Sequence, residues 1–168
     1  MKNLITTLLA GFLIIGLFAS PAAAIGVYAD IPLNYTIKGD CTQDCSQTPS
    51  GMKAGVLWGN IGFGLEDYSM SNGGSTLSIQ LLDVSYLLPI PIVNLTLGAG
   101  IGGSQLEIAG FPTYDGTASQ VWASFGFPII PLFDLHLGYH MVNTKLDVGG
   151  TSADFSGNML SFGAMFNF

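Results

Sequence analysis

Phe162-Gly163-Ala164-Met165-Phe166-Asn167-Phe168, the last seven residues, decide how the rest of the sequence is read. Phe162, Ala164, Phe166 and Phe168 occupy every second position. A period of two puts all four on one face of a β-strand. The sequence as written stops on an aromatic side chain and a carboxylate, with nothing after it to bury that face.

The same period recurs upstream. In 26–38, Val27, Ala29, Ile31, Leu33, Tyr35 and Ile37 alternate with Tyr28, Asp30, Pro32, Asn34, Thr36 and Lys38. In 93–104, Val93, Leu95, Leu97, Ala99 and Ile101 alternate with Asn94, Thr96, Gly98, Gly100 and Gly102. In 132–142, Phe133, Leu135, Leu137, Tyr139 and Met141 alternate with Asp134, His136, Gly138 and His140. One face is apolar and the other small or polar.

Composition decides which face meets water. Apolar residues make up 49% of the 168 residues and charged residues only 9%. A soluble domain carries about 25% charge. With the apolar face inward, the outside would be Gly, Asn and Thr, a poor soluble surface. The apolar face is therefore placed outward, in lipid. The 23 Gly and 8 Pro oppose long helices. No segment after residue 24 reaches the roughly 20 unbroken apolar residues of a membrane helix. The richest, 86–93, is cut by Pro89 and Pro91. A membrane chain built from strands must close into a barrel, because only closure pairs every backbone group in lipid.

Residues 1–24 read as an export signal: Lys2, an apolar run from Leu4 to Phe18, then Ser20-Pro21-Ala22-Ala23-Ala24 before Ile25. The expected mature chain is one domain, 25–168. An internal repeat at an offset of 40 matches 91–98 to 131–138, with fainter copies from Asn34 and Asn60. Four copies imply four hairpins. The expected strands are 26–39, 50–58, 60–70, 75–88, 92–107, 117–127, 132–147 and 157–168. Short turns at Gly59-Asn60, 89–91 and 128–131 would face the periplasm. The segments 40–49, 71–74, 108–116 and 148–156, rich in Gly, Ser, Asn, Thr and Asp, would be external loops.

The inward phase predicts a lumen of Tyr28, Asp30, Asn34, Asn60, Glu66, Asn94, Gln120, Trp122, Asp134, His136 and His140. Asp83 joins them, opposite the outward Leu82, Val84 and Tyr86. Eight strands leave an interior just wide enough for side chains, so a hydrated polar plug is expected; a cation or proton path is the alternative. Lys38 and Lys53 are placed near the outer mouth, with His136 lower down. Gly98, Gly100 and Gly102 leave room for a small cavity or for Trp122 on the next strand.

His136 and His140 share a face but stand about 13 Å apart at the rise of a strand, too far to ligate one ion. No metal, cofactor or catalytic site is expected, although a Ser–His–acid set could be assembled from separate strands. Cys41 and Cys45, in an exported chain and a turn-rich loop, predict a disulfide. Asp40, Asp44, Glu66, Asp67, Glu107, Asp115, Asp147 and Asp154 are read as an acidic rim, either solvated loop ends or a divalent-cation belt. Arg is absent and only Lys38, Lys53 and Lys145 follow residue 24, against eleven acids. That balance speaks against nucleic acid as a partner.

The terminal strand, with Phe162, Phe166 and Phe168, resembles the C-terminal signal strand that the barrel-assembly machinery reads in bacterial outer-membrane barrels. The mature chain resembles the small barrels of the OmpX and OmpA transmembrane-domain type. The resemblance implies an all-β, eight-stranded antiparallel up-and-down transmembrane β-barrel in the outer membrane. It also implies a monomer assembled by that machinery and in contact with outer-membrane lipids and lipopolysaccharide. It rests on architecture, so no functional residue carries over. The expected role is structural, in envelope integrity or surface contact. The alternatives are a channel for small solutes or ions, a lipid-modifying enzyme and a soluble periplasmic ligand-binding barrel.

Overall fold

The structure, a computed structural model, describes residues 25–41, 45–90, 93–130 and 132–168. The export signal and Asp44 lie outside them. Ten strands follow in order: β1 (Ile25–Ile37), β2 (Ser46–Gln47), β3 (Ser50–Trp58), β4 (Ile61–Asn72), β5 (Ser75–Ile90), β6 (Val93–Ile108), β7 (Tyr114–Ile130), β8 (Phe133–Val148), β9 (Thr151–Asp154) and β10 (Gly157–Asn167). β1 pairs with both β3 and β10, and β10 pairs with β8, so β1, β3 to β8 and β10 close an eight-stranded antiparallel barrel. Every edge is thereby removed. Ile25 and Phe168 exchange backbone hydrogen bonds of 3.1 and 2.9 Å at the seam. The tight turn at Gly59-Asn60 forms, with Gly59 at φ 60°, a conformation glycine adopts without strain.

The loop end is more ordered than the sequence implied. β2 pairs with Tyr35 and Thr36, and β9 folds back on Lys145–Val148, so 46–47 and 151–154 are strands within segments expected to be loops. Cys41 and Cys45 are joined in a disulfide with Cα atoms 5.7 Å apart.

The hydrophobic pattern inverts along the barrel axis. Toward the end carrying Ile25 and Phe168, strands are apolar outside and polar or small inside. Phe63 and Leu65 face out beside the buried Gly62, Gly64 and Glu66. Toward the loop end the same strand exposes Asp67 and buries Tyr68 and Met70. On β5, Leu82 and Val84 face out below, whereas Leu77, Ile79 and Leu81 face in above, with no break in register. On β8, Leu137 and Met141 give way to Asn143, Lys145 and Asp147 outside, while His136 and His140 give way to Val142 and Leu146 inside. The outward apolar band on β8, from Phe133 to Met141, spans about 26 Å along the strand and about 20 Å along a barrel axis tilted near 40°. One half of the barrel is built for lipid; the other is a water-facing barrel with an ordinary apolar core.

β1 follows this inversion through a bulge. Pro32 pairs with Ser161, but the next partner, Leu160, faces Asn34 rather than Leu33. Proline cannot donate to the ladder, and the extra residue advances the phase by one. The sequence expectation is corrected here: Asn34 leaves the lumen and accepts a hydrogen bond from Ser46 at 2.8 Å. Tyr35, placed outward by strict alternation, is fully buried, and its hydroxyl donates to the Phe155 carbonyl at 2.8 Å.

Candidate functional site

The lumen holds the polar side chains in a central layer between two apolar closures. Toward the loops, Tyr35, Tyr68, Met70, Leu77, Ile79, Leu81, Leu106, Val142, Leu146 and Met159 form one cluster. Toward the termini, Tyr28, Leu57 and Met165 form a smaller one, with Leu87 against it. This corrects the expectation of a polar plug through the whole lumen.

Lys53 is the centre of the polar layer. It is 3% exposed, deep in the barrel rather than near the outer mouth. Its ammonium lies 3.3 Å from Asp83 and 3.8 Å from Glu66. These are ion-pair contacts without hydrogen-bond alignment. Its other face covers a Trp122 ring, 3.2 Å from the centroid, a desolvated cation–π contact. Gln120 ties the acids together, its amide nitrogen donating to Glu66 at 2.6 Å and to Asp83 at 2.8 Å. Glu66 is thus a lumen residue and leaves the acidic rim. Asp67 stays outside, accepting from Gln80 at 3.1 Å. Asn94 donates to Asp134 at 2.6 Å, and His136 lies 3.9 Å from Asp30. Asn60 sits at the terminal-end turn and donates to the Leu87 carbonyl at 3.0 Å.

Glycine makes room for these groups. A Cβ on Gly98 would collide with the Trp122 indole, and one on Gly100 with Asp83. Of the two uses the sequence allowed for that wall, housing Trp122 is the one seen at Gly98.

The two histidines serve different partners. His140 brings together a set that no local motif shows. Its Nε2 is 3.0 Å from Ser161 Oγ, its Nδ1 3.0 Å from Gln120 Oε1 and 3.7 Å from Glu66 Oε1. A hydroxyl, an imidazole and a carboxylate in that order are the parts of a nucleophilic triad. A triad also needs space for a reacting carbonyl and donors aimed at its oxyanion. Ser161 is 3% and His140 2% exposed, and Ser161 Oγ abuts Gly138. The imidazole is also stacked against Trp122, at 5.7 Å and 21°. Both ring nitrogens are engaged inside a closed layer, and the set forms a hydrogen-bond network. Among the described residues no His, Cys, Asp and Glu group is arranged to hold a metal ion.

Outside, a continuous apolar belt faces the surroundings: Val56, Trp58, Phe63, Leu65, Leu82, Ile101, Val121, Phe125, Leu137 and Met141 are each about half exposed or more. A soluble protein would not leave such a ring in water. The closed ladder and this belt settle the class. The chain folds as a small eight-stranded outer-membrane β-barrel.

No protein-family model and no curated protein matches the sequence. Solved structures match the fold. Neisserial surface protein A aligns at 17% identity and a TM-score of 0.65, covering 88% of this chain and all of the other. Ail, the attachment invasion locus protein of Yersinia pestis, aligns at 16% and 0.64 with the same coverage. The N-terminal barrel domain of Pseudomonas aeruginosa OprF aligns at 13% and 0.56, covering 87% of this chain and 98% of the other. At these identities the likeness is one of fold. The barrel's outward Phe162, Phe166 and Phe168 belong to the belt at the seam.

Periodicity located Asp30, Glu66, Asp83, Asn94, Trp122, Asp134, His136 and His140 in the lumen. It missed Lys53, Ser161 and the whole apolar layer. The signal for that layer was present in β5, where Leu77, Ile79 and Leu81 take one parity and Leu82, Val84 and Tyr86 the other.

Proposed function

We propose that this barrel is a non-conducting, non-enzymatic structural component of the outer membrane, serving envelope integrity or surface contact. The observation that supports this is the apolar layer from Tyr35 to Met159, which fills the lumen between the ionic layer and the loops. An ion crossing it would be stripped of water in a region whose buried polar groups include only neutral hydroxyls, those of Tyr68, Ser104 and Thr144 among them, at a cost of several kcal/mol or more. The carboxylate excess among Asp30, Glu66, Asp83 and Asp134 is what a cation path would use. Single-channel recording separates the two readings. Heat-modifiable, folded barrel in a planar bilayer is expected to stay silent, and discrete openings would refute the structural role. Unchanged lipid A after overexpression is expected as well, and a modified acyl pattern would overturn the non-enzymatic part.

Outer-membrane lipids and lipopolysaccharide are the partners this reading implies, with a monomer as the working unit. A groove of about 540 Å³ on the outer wall supports lipid contact. Ile101, Val121 and Met141 line its apolar part, and Lys38, Asn143 and Asn158 its polar part, at the upper edge of the belt. The rigid water-facing half and its loops would supply the surface contact.

A further inference from the structure

Between the ionic layer and the terminal-end closure lies a cavity of about 20 Å³, lined by Tyr28, Asp30, Trp122, Ser124 and His136 among others. Five polar atoms of its lining residues have no hydrogen-bond partner: the Tyr28 hydroxyl, Ser85 Oγ, Trp122 Nε1, Ser124 Oγ and His136 Nε2. Each belongs to a side chain more than nine-tenths buried. Orphaned buried groups are rare because each costs about 1–3 kcal/mol. Five around one void point to an occupant.

The donors and acceptors identify it. Trp122 Nε1 can only donate, so the occupant must accept. A metal cation cannot accept. An anion would sit beside the Asp30 carboxylate, with Lys53 occupied by Glu66 and Asp83. His136 Nδ1 stands 3.9 Å from Asp30, beyond hydrogen-bond reach, so Nε2 meets the occupant as donor or acceptor according to the tautomer. The occupant must therefore accept from an indole and also be able to donate, to a hydroxyl or to the Asp30 carboxylate. The volume matches one water molecule, which needs at least about 10–15 Å³ and two to four polar partners.

We propose that this cavity is a built site for one ordered water, accepting from Trp122 Nε1 and hydrogen-bonded to His136 Nε2 and to either Ser124 or Asp30. The water solvates the Asp30 carboxylate on the cavity wall. It thus does at the terminal end what the single ammonium does at the centre. This inference does not depend on the structural role proposed above. A conducting barrel could keep the site, and a silent one could lack it.

The test uses the mature barrel folded in lipid nanodiscs, carrying Trp58→Phe so that Trp122 supplies the only indole resonance. A water cross-relaxation peak at the Trp122 indole proton is expected, together with a density peak within hydrogen-bond reach of Nε1 in a high-resolution crystal structure. Ser124→Val, which puts methyl groups into the cavity, is expected to abolish the peak while the heat-dependent gel shift persists. Ser124→Ala, which adds no bulk and leaves Trp122 Nε1 and His136 Nε2 in place, is expected to retain it. An empty cavity with no cross-relaxation overturns the proposal. So does an anomalous rubidium peak at the site after soaking, which would assign it to a cation. Should Ser124→Val fail to fold, the cross-relaxation and density on the Trp58→Phe barrel still decide.

Discussion

Lys53→Met replaces the only lysine of the polar layer by an apolar side chain of similar length. Asp83, fully buried, would lose a partner 3.3 Å away, and Glu66 one at 3.8 Å. Removing one member of a buried ion pair costs about 3–5 kcal/mol, because the other charge stays desolvated. The cation–π contact with Trp122 adds up to about 2 kcal/mol. Both draw on the same ammonium, so they overlap, and we expect a loss of about 4 kcal/mol. That is close to a thousandfold in the folding equilibrium. The assay is urea titration of the barrel in lipid vesicles, followed by tryptophan fluorescence and independently by heat-modifiability on a gel. The triple variant Lys53→Met, Glu66→Gln, Asp83→Asn should recover most of the loss, since replacing a whole buried charge set is often neutral. A Lys53→Met midpoint within about 1 kcal/mol of the parent, the worth of a solvated pair, would refute the reasoning. Lys53 would then be in contact with bulk water, and the lumen would not be sealed.

Three further outcomes follow from other parts of the barrel. Deleting Leu33 removes the bulge but leaves Asn34 opposite Leu160 and Tyr35 opposite Met159, so Tyr35 still turns inward and the heat-dependent gel shift should be kept, whereas deleting Leu33 and Asn34 together shifts the phase by one, turns Tyr35 to the outside and should lose it. Gly98→Val drives a side chain into the Trp122 indole and should cost about 1–3 kcal/mol as overpacking, a loss that Trp122→Leu in the same chain should relieve. Asp154 accepts from the Ser156 amide at 2.8 Å, and its bonds to Ser156 hold its carboxyl below the ordinary value of 3.8. Its contribution is therefore complete at neutral pH and is lost as pH falls through that lowered value. Carbon-detected titration of Asp154 should give a midpoint below 3.8, and Ser156→Pro, which removes the donating amide, should raise it.

Most of the barrel was legible because two of its constraints are local. A strand half in lipid must alternate, so Phe133 to Met141 and Phe162 to Phe168 announce both the element and the face that meets lipid. Turn chemistry is local too, and the Gly59-Asn60 turn and the Cys41–Cys45 disulfide appeared where their residues placed them. The errors came where alternation was extended past its cause. Strict phase carried Tyr35 outward and Asn34 inward, since a single extra residue beside Pro32 leaves no mark on composition. It also carried the polar lumen up through Leu77, Ile79 and Leu81, where the strand has left the membrane and the environments of its two faces have exchanged.

The sequence by itself determined the class: an eight-stranded barrel with an apolar belt, because lipid demands closed strands and the chain has too little charge for water all round. Only the tertiary structure decided what the lumen does. Lys53 comes from β3, Glu66 from β4, Asp83 from β5, Gln120 and Trp122 from β7, and His140 from β8. Their meeting depends on strand register around a closed circle, and register is a property of pairs of strands. No single stretch of sequence carries it, and neither does the height at which the barrel leaves the lipid and its interior turns apolar.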